Sequence, residues 1–471
     1  MESDRISGFG MRAHLSAGDW SAAALVAGLV LILLILWPFP MPHPCVWDDL
    51  AAAASIKPQV AEFPALAPLV SRIFFEHFGT VSGFAAFVFF GHVVAAATAA
   101  LWYMVFRQLL EFTSRLDMAD RVWNDKLCPL LAGLGALLVA FSETVWISSQ
   151  TFTSSSVDLF LAALALALFF RFIARGRRHL GFLSMLVLGV LAGETPFGVA
   201  LLLPVGALSV FSWWMIDARD DIDPPIRFPP IEEFPWVLVA AGWVVGFAGT
   251  IAIADSSFRA VGGNPGDFHS AFTAWKGLLS AGTTVKGALL GMLVTWLPLS
   301  ALVVLCPWLT HPFPRKPWFV RGLVLVLGLA AATQFSDVAA WRFRNWTGEP
   351  EAVAGTVLPG FYQAAAAAAV MLSASVFAAM GWCHENRLPM LVVRLGRFLM
   401  VLALLAFAGH SAFTRQCEVI RVKLAKVDEH LVKTLEACKG NDEVASQGGL
   451  DVVLEFRARL ENRKLKIVDE K

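Results

Sequence analysis

Two adjacent carboxylates are the residues of this chain best suited to acid–base chemistry. They stand in Cys45-Val46-Trp47-Asp48-Asp49-Leu50, after the proline-rich run Pro38-Phe39-Pro40-Met41-Pro42-His43-Pro44 and before a run of alanines. From residue 38 to residue 80 the only Lys or Arg are Lys57 and Arg72. Two like charges side by side in a dry setting cannot both ionise cheaply, which suits one of them to act as a general base near neutral pH. The plainer role is a helix cap, with Asp48 or Asp49 accepting the first amides of a helix that starts at Leu50. The two roles are compatible, because a capping aspartate leaves its neighbour for chemistry.

Cations and aromatics come further along. Residues 255 to 283 hold Arg259, Gly262-Gly263-Asn264-Pro265-Gly266, His269, Trp275 and Lys276, and residues 336 to 352 hold Trp341-Arg342-Phe343-Arg344-Asn345-Trp346. A guanidinium pairs bidentately with phosphate oxygens, so Arg259, Arg342 and Arg344 are candidates for gripping a lipid-linked phosphate. For Trp341 to Trp346 the equal alternative is an interfacial aromatic belt. The glycine-rich run lacks the strand-to-helix setting of a phosphate-cradling loop and gets no nucleotide role. The stretch Ser148 to Ser156, with Gln150 and Ser154, either lines a sugar pocket or starts a helix with capping hydroxyls, the commoner use of such residues. No metal site is expected: Asp48 and Asp49 lack a further acidic cluster, and Trp382-Cys383-His384-Glu385 lacks a second ligand pair. These residues leave a divalent-ion requirement open.

The elements that must position these groups belong to a membrane. Of the 471 residues 57% are hydrophobic and only 16% charged, against about 25% charged in ordinary soluble domains. Mean hydropathy is +0.65, and 37 Lys+Arg balance 37 Asp+Glu, which excludes nucleic acid as a main partner. The apolar runs are continuous rather than alternating, so the expected class is all-α, a polytopic protein of about eleven transmembrane helices. The first run, Ser21 to Trp37, lacks a small-residue cleavage site after it and reads as an uncleaved anchor. Further spans are expected near 81–106, 127–146, 150–170, 180–192, 197–215, 236–254, 284–307, 319–335, 353–380 and 396–411. The fifth is too short to cross about 30 Å of hydrocarbon upright. Gly193-Glu194-Thr195-Pro196 breaks it from the sixth, so one reading of the two is a hairpin that does not fully span.

Basic residues orient the chain. The N-terminus and the segments 107–126, 171–179, 217–234, 308–321 and 382–397 carry 18 Lys+Arg, against 7 in 38–80, 255–286 and 336–352. The first set is therefore expected in the cytoplasm. The resulting layout is a cytoplasmic N-terminus over 1–20, a transmembrane domain over 21–411 with its first outside loop at 38–80, and an outside tail over 412–471. Val419, Leu424, Val427, Leu431 and Leu435 give the tail a helical period, and a small helical hairpin is expected there. Cys417 and Cys438 would then lie in an oxidising compartment, where a bridge between them and two unpaired thiols are equal alternatives.

An acidic pair in the first outside loop of a roughly eleven-span protein resembles the C-type glycosyltransferases, which use polyprenyl-phosphate sugars. More narrowly, the first 215 residues resemble an uncharacterised bacterial membrane family whose animal relative is a protein O-mannosyltransferase. The resemblance is carried by Trp47-Asp48-Asp49, Phe63-Pro64-Ala65-Leu66-Ala67-Pro68-Leu69, Ala140-Phe141-Ser142 with Trp146, and the Gly193-Glu194-Thr195-Pro196 break. It covers under half of the chain. Phe63 stands where that family has His, and Gln150-Thr151-Phe152-Thr153-Ser154-Ser155-Ser156 where it has a Glu-containing segment, so a divergent substrate and an inactive relative are both open.

The resemblance implies an enzyme of the inner membrane that moves a sugar from a polyprenyl-phosphate carrier to a hydroxyl of a protein or glycan. Asp48 or Asp49 would be its base. Arg259, Arg342 and Arg344 are assigned to the donor phosphate from charge and side, and Trp47, Gln150, Ser154 and Glu194 to an acceptor or sugar pocket. Its ligands would be membrane lipid, the lipid-linked sugar donor and the acceptor. Two other classes compete: a transporter or flippase, for which His92 is the best midplane group, and a non-catalytic scaffold that presents the tail to a partner.

Overall fold

The computed structural model describes residues 17–36, 66–114, most of 128–202, 236–260, most of 271–276, scattered positions between 367 and 410, and most of 418–469. In the part before residue 300 the elements are α1 (Ala17–Leu36), α2 (Leu66–Ser114), α3 (Cys128–Ala140), α4 (Ser154–Arg175), α5 (Arg178–Glu194) and α6 (Trp236–Ala260). Gly18–Leu36, Ser82–Leu110 and Trp236–Asp255 are long and apolar enough to cross a membrane. Their outward faces are apolar too: Leu25, Leu36 and Val237 are more than two-thirds exposed. A water-soluble helix would place polar groups there, so these faces point to membrane association.

The helices pack α1 on α2 and α3, α2 on α4, α4 on α5, and α5 on α6. Directions are set by side-chain contacts. Asp19 near the start of α1 meets Arg107 near the end of α2, so those two helices are antiparallel. Ser184 of α5 donates to the Ala165 carbonyl of α4, and a Cβ on Gly181 would touch Phe172, which makes α4 and α5 a second antiparallel pair. The bundle therefore has an Asp19 end and a Glu194 end. Val26 and Val30 of α1, Ala99 and Trp102 of α2, Ala132 and Ala136 of α3, Ala163 and Leu166 of α4, and Leu188 of α5 share its core. Met371 lies against Gly135 and brings the stretch near 370 into the same core.

Helices α5 and α6 run parallel and touch through glycines. Gly189 and Gly193 face Trp243 and Thr250, while Gly242 and Gly246 face Phe182 and Leu186. A Cβ at Gly189 or Gly246 would overlap the carbonyl oxygen of Trp243 or Leu186. Both helices carry glycines four apart on the contact face, the spacing that lets two backbones meet without a side chain between them. Thr250 Oγ1 donates to the Gly246 carbonyl at 3.1 Å and lies 3.4 Å from that of Val190.

Several boundaries differ from the hydropathy reading. Leu66–Ser114 is two helices that meet at Gly79, whose φ of 70° favours a residue without Cβ. The first folds back so that Phe74 and Phe75 pack on Phe90 and Phe87, and the membrane-length stretch of the second, Ser82–Leu110, starts where the span at 81–106 was expected. Its far end includes Arg107, expected in a cytoplasmic loop but buried inside the helix. The third expected span is a 13-residue helix that stops at Ala140, because Ser142 Oγ bonds back to the Val139 carbonyl in a turn at Phe141-Ser142. At about 20 Å it is shorter than the hydrocarbon layer. The eighth and ninth expected spans lie outside the described residues, and of the sixth, tenth and eleventh only isolated positions are described.

The tail carries two helices, as a helical hairpin would, but two short strands as well. It runs α7 (Glu418–Ala437), β1 (Glu443–Ser446), α8 (Asp451–Leu460) and β2 (Lys466–Asp469), with β1 and β2 parallel in the register Glu443 to Lys466. Parallel neighbours need a crossover, and α8 supplies it. The helical period was sound for α7, where Leu431 and Leu435 are buried, but four-residue strands leave no period to read. The all-α class therefore describes the bundle, and the simple hairpin expected for the tail is corrected to two helices with a two-stranded sheet. Phe456 of α8 packs edge-on against Phe84 (5.1 Å between centroids) and Phe75, at the Glu194 end.

Candidate functional site

The Glu194 end gathers the polar residues of the described bundle that are best placed for a site. Glu194 closes α5 and is 2% exposed. Both of its carboxylate oxygens accept the backbone N–H of Leu66, at 3.2 and 3.1 Å. Leu66 opens α2, where the first amides have no partner within the helix and a negative charge is favourable. The break after Glu194 is itself held: Thr195 N–H donates to the Leu191 carbonyl, and Trp275 Nε1 donates to that of Ala192 at 2.9 Å. The expected break at Gly193-Glu194-Thr195-Pro196 thus ends α5, and Trp275 from the later loop lies beside it.

A second group lies between α3 and α4. Ser149 Oγ donates to the Trp146 carbonyl, and Gln150, Ser156 and Asp158 are buried. Phe152 packs against Phe87 and Phe90 of α2, at 6.0 and 4.9 Å between centroids, and shares an aromatic cluster with Phe456. Of the expected site residues, Gln150 and Glu194 are therefore at the same end of the bundle. Ser154 is the first residue of α4, as the helix-start reading of the serine run had it. Arg259 is in the last turn of α6, one turn beyond the apolar span, and not in a loop. Trp47, Asp48, Asp49, Arg342, Arg344 and Cys417 lie outside the described residues, whereas Cys438 directly follows α7.

A different polar cluster sits at the Asp19 end. Arg107 Nε donates to Asp19 at 3.0 Å and its Nη1 lies 3.1 Å from the Cys128 sulfur, with Arg107 and Asp19 both more than nine-tenths buried. Nearby, the Arg171 guanidinium lies 4.8 Å above the Trp20 ring, a cation–π contact. Sequence reasoning missed this cluster because it counted Asp19 and Arg107 as flanks of spans. Two opposite charges just inside the ends of neighbouring apolar runs were the signal present in the chain. Midway along α2, about 15 Å from Ser82, His92 is 4% exposed and its Nε2 has no hydrogen-bond partner. Among the described residues no group of His, Cys, Asp and Glu is arranged to hold a metal ion.

Comparison of the chain with models of protein families, with curated proteins and with solved structures finds no match.

Proposed function

We propose that this protein is a membrane glycosyltransferase that moves a sugar from a polyprenyl-phosphate carrier to an acceptor hydroxyl on the outer side of the cytoplasmic membrane. The observation that carries this reading is the pair Asp48 and Asp49 in the segment joining α1 to α2, which leads into the end of the bundle where Glu194, Gln150 and Trp275 lie. One aspartate takes the proton of the acceptor hydroxyl as its oxygen bonds the anomeric carbon and the carrier phosphate leaves. Arg259, Arg342 and Arg344 are assigned to the departing phosphate. The eleven-span count and the cytoplasmic N-terminus belong to the same reading. The exposed Arg177, Arg178 and His179 at the turn between α4 and α5 fit a cytoplasmic Asp19 end.

The test is sugar release from a radiolabelled polyprenyl-phosphate sugar by the purified protein. Wild type is compared with Asp48→Asn, Asp49→Asn and the double variant. Loss of turnover, about a hundredfold or more, through one of the single variants with an unchanged elution profile in detergent supports the enzyme and names its base. Absence of turnover in wild type with every donor and acceptor pool tried ends it. His92, buried near mid-span with an unpartnered Nε2, favours the transporter as second reading. Proton-coupled uptake into proteoliposomes that is lost in His92→Phe would establish that reading.

A further inference from the structure

We infer that the turn between α4 and α5 is a headgroup site for an anionic phospholipid of the surrounding leaflet. The inference rests on membrane association and not on sugar transfer. Residues 171 to 179, Arg171-Phe172-Ile173-Ala174-Arg175-Gly176-Arg177-Arg178-His179, hold four arginines and no carboxylate. Helix α4 ends at Arg175 and α5 begins at Arg178, so the turn keeps these cations together. Arg177, Arg178 and His179 are exposed, and among the described residues no ion pair joins Arg177 or Arg178 to a carboxylate. Clusters of about four or more basic residues beside a membrane helix attract anionic headgroups.

The depth of this turn is set by Trp20. Gly18–Leu36 of α1 is long and apolar enough to cross a membrane, so Trp20, half exposed near the start of that stretch, stands at the level of a bilayer surface. The Arg171 guanidinium lies 4.8 Å above its ring, which brings the end of α4 to the same level. A Cβ on Gly181 would lie 3.1 Å from the Phe172 ring, so the first turn of α5 runs beside Arg171. One turn from His179 on the same face of α5, Leu183 is exposed, and so is Leu25 of α1, five residues after Trp20. Guanidinium groups at the surface with exposed leucines deeper along the helices match an amphiphile, whose phosphate oxygens meet the arginines while its chains lie along the leucines. A free phosphate would satisfy only the first half of this surface. An acidic peptide would have to carry charge onto its apolar half.

The experiment titrates the full-length protein in detergent with short-chain phosphatidylglycerol or the matching phosphatidylcholine and counts bound lipid by native mass spectrometry. Wild type is expected to bind phosphatidylglycerol about tenfold or more tightly than phosphatidylcholine, a preference that falls as salt is raised. In Arg177→Gln/Arg178→Gln, two exposed positions, the preference is expected to drop below about threefold with an unchanged elution profile. The control Lys426→Gln/Lys433→Gln removes the same charge from exposed positions of α7 and is expected to match wild type. Inorganic phosphate and poly-glutamate serve as competitors, and neither is expected to displace phosphatidylglycerol at the lipid's own concentration. Displacement by phosphate would make the turn a simple anion site, and displacement by poly-glutamate a peptide site; either overturns the lipid assignment. Equal binding of the two lipids by wild type overturns it without any variant. A preference unchanged in the arginine variant, or lost equally in the lysine variant, overturns it too. The readout needs no turnover, so it stands or falls separately from the glycosyltransferase.

Discussion

Burying Arg107 and Asp19 takes two charges out of water, which is costly, and their hydrogen bond repays the cost only while both are present. Arg107→Leu leaves Asp19 buried without its guanidinium and is expected to destabilise the protein by about 3–5 kcal/mol. The double variant Asp19→Leu/Arg107→Leu removes both charges and is expected to recover most of that loss. Thermal unfolding in detergent compares the two, and equal losses would show that the aspartate left without its guanidinium is not the cause. The pair differs from the Glu194 to Leu66 bond, whose donor is a backbone amide that no side-chain substitution can silence except proline. Neither partnership was legible in the chain. Arg107 sits at the end of an apolar run where a windowed hydropathy average places a loop, and the Leu66 amide that meets Glu194 has no side-chain signature.

Helices α5 and α6 are joined by backbone contact rather than by large side chains. Gly189 and Gly246 each lie where a Cβ would overlap a facing carbonyl oxygen, so Gly189→Leu or Gly246→Leu must push the helices apart. Overpacking of this kind costs about 1–3 kcal/mol or more. Because α5 positions Glu194, the expected outcome is lost monodisperse protein or, where the variant folds, faster exchange near Leu66. Gly28→Ala and Gly249→Ala, where a Cβ meets nothing within 4 Å, are the controls and are expected to be silent on size-exclusion chromatography. The spacing of Gly189 with Gly193 and of Gly242 with Gly246 is visible in the chain, but nothing in one dimension says that these two pairs face each other. Helix existence was readable from continuous apolar runs. Several helix ends were readable too, near Leu36, Ser82, Trp236 and Asp255, but the stop at Ala140 and the reversal at Gly79 were not, since the Ser142 turn and Gly79 both lie within or beside apolar stretches.

At the scale of the whole molecule, the tail provides a test of topology. Phe456 packs against Phe75 and Phe84, which lie at the opposite end of α2 from the Asp19 to Arg107 bond. The tail and the start of α1 therefore stand at opposite ends of the bundle, where an odd number of crossings would place them. The single-cysteine variants Lys57→Cys and Glu429→Cys, each on a cysteine-free background, are expected to react alike with a membrane-impermeant maleimide on intact cells. Labelling of only one of them would overturn the shared side. Phe456→Ala is expected to increase proteolysis of residues 418–469 without loss of the bundle, since the ring is the tail's described anchor in the Phe87–Phe152 cluster.

By itself the sequence determined the features that composition and period encode: long apolar helices that suggest membrane association, the break after Gly193, and a helical start to the tail. It also singled out Asp48 and Asp49, because adjacent carboxylates in a cation-poor segment are unusual wherever they fold. Only the tertiary structure decided which polar groups meet. Glu194 caps a helix that starts at Leu66, Arg107 turns inward to Asp19, and Phe456 brings the tail to the Glu194 end. Each of these links joins residues far apart in the chain through one directional bond or one ring contact. Hydrophobicity is summed along the chain and survives in its one-dimensional pattern, whereas pairing depends on where helices cross and leaves no periodic trace.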